Sequence, residues 1–242
     1  NMLTERLETT ERSRRRFVSD ASHELKTPLA SIRLLADSIV QSENMNASTV
    51  REFVTDIGDE AARLQRTTEK LLNLSRMDDD VLCVPEPVDL KQVSVDALVL
   101  LRPLADSRKV RMRSELEDGC VVMATVDDMF HIIFNLVENA IKYNVEGGSV
   151  LLKLRGDEET VKLSVSDTGI GIPEEDRFNI FSRFYRVDKA RSREAGGSGL
   201  GLSIVHDAVQ LHGGTITVGA NKPQGSIFIV SFPRPTPEET GI

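Results

Sequence analysis

Two stretches near the start of the chain carry apolar residues at helical spacing, and neither can hide its stripe alone. The first sets Phe17, Ala21, Leu25, Pro28, Ile32, Leu35 and Ile39 on one side, in steps of 4, 4, 3, 4, 3 and 4 residues. The second repeats Val50, Ile57, Leu64 and Leu71 every seven residues, joined by Phe53 or Val54, Ala61 and Leu74. A polar interruption at 41–48 separates them, and Thr49 with Glu52 predicts a capping box for the second helix. Two helices joined by a short polar turn make an antiparallel hairpin, whose apolar side stays wet unless a second copy covers it. The pattern therefore predicts a homodimer built as a four-helix bundle.

Within the first helix His23 falls off the stripe. Its neighbours three and four residues away are Ser19, Asp20, Lys26 and Thr27, all polar, so the imidazole sits on a wet face. Pro28 lacks an amide hydrogen and crowds the carbonyl of Glu24, which predicts a bend or a loosened turn beside His23. The two consecutive four-residue steps are a stutter that unwinds the heptad at the same place.

After a break at 78–87, read as a hinge from its acidic run and two prolines, the periodicity becomes mixed. The pattern predicts a helix to about residue 107 after a short extended start, and strands over 110–116 and 121–124. A long helix follows over 127–143, with Phe130, Ile133, Phe134, Val137, Ala140 and Ile141 as its apolar face. Strands over 150–154 and 161–165, a helix over 200–211 and closing strands over 215–218 and 226–232 complete the unit. Val95, Leu98 and Leu101 read as core, His131 and His206 as packing residues, and His212 as a cationic helix cap. The proline-rich acidic end, from residue 234, reads as a disordered tail. The domain boundaries are thus 1–82, 83–87 for the linker, 88–233 and 234–242.

Composition excludes several classes. The net charge is −8, against a nucleic-acid partner, and no apolar run approaches membrane-spanning length. Cys83 and Cys120 are isolated thiols without metal or redox spacing.

Three stretches of the second unit could carry chemistry. Asn135, Asn139 and Lys142 share a polar stripe, a donor set that suits hydrated Mg²⁺ and phosphates, although asparagines on a helix are also simply solvated. Asp167, directly after a strand, can accept from an exocyclic amine, with Gly169 and Gly171 allowing close backbone approach. Pro173 and the three acids after it read equally well as a plain helix start. Gly197, Gly199, Leu200 and Gly201 open a helix and form an anion cradle. Between the glycine segments runs a basic series, Arg177, Arg183, Arg186, Lys189, Arg191 and Arg193, suited to a lid over polyphosphate or to a solvated loop.

In this order and spacing the stretches resemble the histidine protein kinases of two-component signalling, from Phe17 to Phe232. His23 lies in what resembles that family's phosphoacceptor box, 135–143 its N box, 167–171 its first glycine box, 181–186 its F box and 197–202 its second glycine box. The resemblance implies an α/β sandwich with a mixed sheet, similar to gyrase-type and heat-shock-type ATPases, behind the helical hairpin. It implies ATP and Mg²⁺ as cofactors and transfer of the γ-phosphoryl group to His23, with Glu24 taking the proton of the other ring nitrogen and Thr27 serving dephosphorylation of the partner. It further implies Asp167 on adenine, Tyr143 beside base or sugar, Asn135 and Asn139 on Mg²⁺, and Lys142, Arg186 and the glycine amides on the phosphates. The implied partner is the receiver domain of a response regulator, and the implied place is the cytoplasmic portion of a membrane-anchored receptor, with sensor and membrane segments lying outside this chain. Related ATPases that hydrolyse ATP carry a glutamate general base at the position of Asn135, and an amide cannot take that proton.

Overall fold

The computed structural model describes residues 21–22, 25–42, 45–78, 84–187 and 199–236. The chain divides into two compact units, residues 1–79 and 80–242. His23, Glu24, Cys83 and residues 79–83 of the expected hinge lie outside the described residues, while Glu86 and Pro87, expected in the linker, belong to a strand.

In the first unit, helix α1 (residues 25–41) runs on through Pro28, which is buried. Ala21, Leu25, Ile32, Leu35 and Ile39 are half-buried in the single chain, as the stripe demands. Helix α2 (Ala47–Asp78) half-buries Val50, Phe53, Ile57 and Leu64, while Val54 is exposed, so Phe53 takes the position the pattern left open. Ala61, expected in the stripe, is exposed; the side chains of Leu71 and Leu74 lie outside those described. The expected capping box does not form. Asn46 caps α2 instead: its Oδ1 accepts from the Thr49 amide at 2.8 Å, and its carbonyl from the Val50 amide at 3.1 Å. Thr49 is then already inside the first turn, where its hydroxyl cannot cap.

The second unit begins with strand β1 (Glu86–Asp89), paired antiparallel with β3 (Val121–Ala124). The main sheet has the order β2-β4-β5-β7-β6, made of β2 (Arg111–Leu116), β4 (Ser149–Gly156), β5 (Thr160–Asp167), β7 (Ser226–Pro233) and β6 (Thr215–Ala220). Only β2 and β4 run parallel, joined by a crossover that contains helix α4 (Val126–Lys142). Helices α3 (Leu90–Ser107) and α5 (Gly201–Leu211) flank α4, and all three lie against the sheet. Alternation along the strands sets the core. Leu154, Leu163 and Val230 form one buried row in register, and Leu152, Val165 and Phe228 the next.

Against these rows α4 buries Met129, Ile132, Ile133, Leu136, Val137, Ala140 and Ile141. Phe130 and Phe134, expected on that face, are half-buried, their rings stacked 5.6 Å apart. Helix α3, capped by Asp89, buries Leu90, Val93, Ala97, Leu101 and Ala105. Val95, read as core, points away from that stripe and is exposed, because a step of two residues turns a helix by about 200°. The chain end also differs from expectation at Arg234. Its guanidinium donates to the carbonyls of Asp157 and Gly119 and its amide to that of Glu159, so order continues past Pro233.

His212 does not cap α5 with its ring. Its Nε2 donates to Asp128 Oδ2 on the first turn of α4 at 2.8 Å, and its side chain is 4% exposed. Thr125 caps α4 and donates to the same carboxylate at 2.7 Å. Burial alone would raise the Asp128 carboxyl, but the hydrogen bonds from His212 and Thr125 and the nearby imidazoles outweigh it and hold the group below the ordinary carboxylate range. A carboxyl lowered on folding stabilises the fold above its unfolded value of about 3.9 and loses that contribution as pH falls through the folded value. Asp128→Asn is therefore expected to destabilise the protein at pH 7 by about 1–3 kcal/mol. In thermal melts the gap to the parent protein should narrow steadily below about pH 4.

Candidate functional site

The polar edge of α4 is the floor of the site. Asn135 is 7% exposed, and its Nδ2 donates to the His131 carbonyl at 2.8 Å. Its Oδ1 is thereby turned outward, with no hydrogen bond from the described residues. One turn on, the half-buried Asn139 amide also has no partner among them. The Lys142 ammonium lies 2.9 Å from Glu138 Oε1, both side chains well covered. Tyr143 ends the helix, and its carbonyl accepts from the Ile170 amide at 3.1 Å, which fastens α4 to the loop after β5.

Asp167 closes β5 at 6% exposure. Its Oδ1 accepts from the amides of Gly169 at 2.8 Å and Ser226 at 3.2 Å, leaving Oδ2 without a partner among the described residues. Burial pushes this carboxyl up, with the two amides pulling the other way. A donor reaching Oδ2 would favour the charged form. The Asn221 side chain holds the Asp167 carbonyl at 2.8 Å, and Gly225, at φ +114°, lies so close that a Cβ there would collide with that same oxygen. Asn221, Gly225 and Ser226 were missed in the sequence; the only local signal is the Gly-Ser pair opening the last alternating strand. Gly171 takes a φ of +75°. Gly169 is small because the Tyr143 carbonyl presses on it, a reason internal to the protein rather than the approach of a base.

At the other end α5 starts without a side-chain cap, since its N-cap residue is the buried Leu200. The first amides of a helix need an acceptor, and an anion supplies one. A Cβ on Gly201 would stand 2.9 Å from Asn135 Oδ1, so the glycine leaves open the space between that oxygen and the helix start. Gly199, at φ +70°, accepts from the Phe184 amide at 2.8 Å, and Phe184 itself takes a φ of +63°. Gly197 and residues 188–198, with Lys189, Arg191 and Arg193, lie outside the described residues. Arg186 is half-buried. Two other arginines of the basic series have partners within the fold. Arg183 pairs with Asp207 of α5 at 3.1 Å, and Arg177 donates to the Ile172 carbonyl at 3.4 Å. The acidic stretch after Pro173 makes only a single 3-10 turn, Glu174–Asp176, whose Asp176 accepts from the Tyr185 hydroxyl. His206 packs its ring 5.6 Å from that of Phe181.

Among the described residues, one edge of the second unit thus carries a carboxylate oxygen and the Asn135 Oδ1 without partners, the Asn139 amide without one, a lysine and a helix start without a side-chain cap. The donors are hard oxygens with one of them aimed at an anion cradle, a set that fits Mg²⁺ with its phosphates. In the first unit, Thr27 lies on the exposed side of α1.

Residues 13–80 match the family model for the His Kinase A (phospho-acceptor) domain, and residues 124–236 that for the histidine kinase-, DNA gyrase B- and HSP90-like ATPase. The chain is 37% identical over 224 residues to the sensor-like histidine kinase SenX3 of Mycobacterium tuberculosis, covering 92% of this chain and 54% of that protein. It therefore spans about half the length of the curated relatives it matches. Among solved structures, the mycobacterial sensor histidine kinase MprB is 30% identical with a TM-score of 0.55, covering 63% of this chain and all of that one. The histidine kinase ThkA, in complex with the response regulator protein TrrA, shares the fold at 24% identity and a TM-score of 0.73, covering 97% of this chain and 67% of that one.

Two glycines separate the roles of space and fold. Gly201→Ala should leave the melting temperature near that of the parent, since alanine suits a helix, yet weaken binding of an ATP analogue at least about tenfold by crowding Asn135 Oδ1. Gly225→Ala should instead lower the melting temperature, by the equivalent of about 2–4 kcal/mol, because its Cβ has nowhere to go.

Proposed function

Because this chain belongs to the histidine kinases of two-component signalling, we propose that it transfers the γ-phosphoryl group of Mg·ATP to His23 and then to an aspartate of a response regulator receiver domain. The observation that carries the reading is Asn135 Oδ1, without a partner among the described residues and beside the start of α5, together with Asp167 Oδ2, likewise without a partner among them. On this reading a nucleotide spans the two, with its base at Asp167 and its phosphates toward the start of α5. Asp167 Oδ2 accepts from the adenine amine, Tyr143 borders base or sugar, and the glycine segment through Gly199 and Gly201 donates amides to the phosphates. Lys142 and Arg186 supply cations, and Asn135 and Asn139 hold the metal. Mg²⁺, when bound, neutralises charge on the β- and γ-phosphates.

An unprotonated ring nitrogen of His23 attacks the γ-phosphorus. The N–P bond forms as the bond to the β-phosphate oxygen breaks, ADP leaves with that electron pair, and Glu24 accepts the proton of the other ring nitrogen. Protein groups contribute mostly position and charge. Asn135, an amide, supplies no base to activate water, which favours transfer over hydrolysis. On the same reading α1 and α2 pair with those of a second copy, and Thr27 orients a water for dephosphorylating the regulator. Among the described residues no helix is long and apolar enough to cross a membrane, and we place the chain in the cytoplasmic part of a membrane-anchored receptor.

Incubation with γ-labelled ATP should give acid-labile, alkali-stable label that is absent in His23→Gln and Asn139→Ala; label persisting in the first variant would refute the reading. Thr27→Ala should retain labelling of His23 while slowing dephosphorylation of the regulator about tenfold or more.

A further inference from the structure

Glu138 has no part in the scheme above, yet it stands on the face of α4 that the phosphates would cover. Helical spacing places it within about 60° of Asn135 and about 40° of Lys142 around the axis. Its Oε1 is 2.9 Å from the Lys142 ammonium, and the two side chains are 17% and 16% exposed. A pair this well covered is screened less by solvent than a surface ion pair. With Asn135 and Asn139 neutral, the lysine is the one cation on this face of α4, and the glutamate cancels it. The face that meets the triphosphate therefore offers hydrogen-bonding groups without net positive charge.

We propose that Glu138, by neutralising Lys142, makes the site select the metal-bound nucleotide over the free one. The repulsion from its carboxylate grows with the charge of the ligand, so it bears hardest on metal-free ATP and least on Mg·ATP. A site with an unopposed lysine would take up ATP without the metal that its transfer chemistry requires. With Glu138 present, the nucleotide arrives already carrying its counter-charge. This inference rests on the reading that the phosphates lie over α4.

The test is the dissociation constant of a non-hydrolysable ATP analogue, measured on the whole chain in excess Mg²⁺ and again in excess chelator. In Glu138→Gln the metal-free complex should tighten about fivefold or more and the Mg²⁺ complex by less than about twofold, so that the ratio of the two constants falls. Adenosine, which has no phosphate, should bind as it does to the parent. Glu138→Ala must move the ratio in the same direction, which covers the case of a poorly folding glutamine variant. An unchanged ratio, while Lys142→Gln weakens both complexes, overturns the inference and leaves the proposed nucleotide orientation standing. Weaker Mg²⁺ binding in Glu138→Gln overturns it too, making Glu138 a metal ligand. If Lys142→Gln alters neither complex, the phosphates do not lie over α4, and both the orientation and the inference fall.

Discussion

Helix α4 has to satisfy two demands at once. Seven of its side chains are packed against the sheet and its flanking helices, while one narrow polar edge remains free for other groups. The apolar side fixes the rotation of the helix, because turning it would drag Leu136 and Val137 out of the core, at about 1.5–3 kcal/mol for each side chain. With rotation fixed, Asn135, Glu138, Asn139 and Lys142 have no choice of direction. The amide of Asn135 is further oriented by the His131 carbonyl, so that its oxygen rather than its nitrogen faces the start of α5. The site thus inherits its geometry from the core, which is the arrangement expected of chemistry that works through positioning.

Much of this was legible in the sequence because it is periodic. The strands, the long helix and the polar stripe bearing Asn135 and Asn139 follow from spacings of two, three and four residues. What escaped was contact between distant parts of the chain. Asn221 reaches Asp167 across 54 residues and His212 reaches Asp128 across 84, and no local pattern marks either partner. Ser226 serves Asp167 through its backbone amide, which any residue but proline could supply. Other departures came from two local signals competing. Asn46 and Thr49 both suit a cap, and Asn46 won by lying one position ahead of the helix.

The two ends of the site differ in how they are held. Asp167 is fixed by amides from both sides and by Asn221. On α4, among the described residues, Asn135 is held through one nitrogen by the His131 carbonyl, Asn139 has no side-chain partner and Lys142 is tied to another side chain alone. On the proposed orientation, order at one end and latitude at the other suit a cycle in which the base and sugar are common to substrate and product while the phosphates change.

The amide of Ser226 is the first rung of β7, and β7 in turn is flanked by β5 and β6. The carboxylate proposed to read the base is therefore part of the sheet's own lattice, not an ornament on a loop. Drift toward another nucleobase cannot proceed by exchanging Asp167 alone, since its replacement would also have to close the seam between two strands. If Asp167 reads the base as proposed, preference for adenine should accordingly persist among descendants of this chain for as long as the sheet itself does.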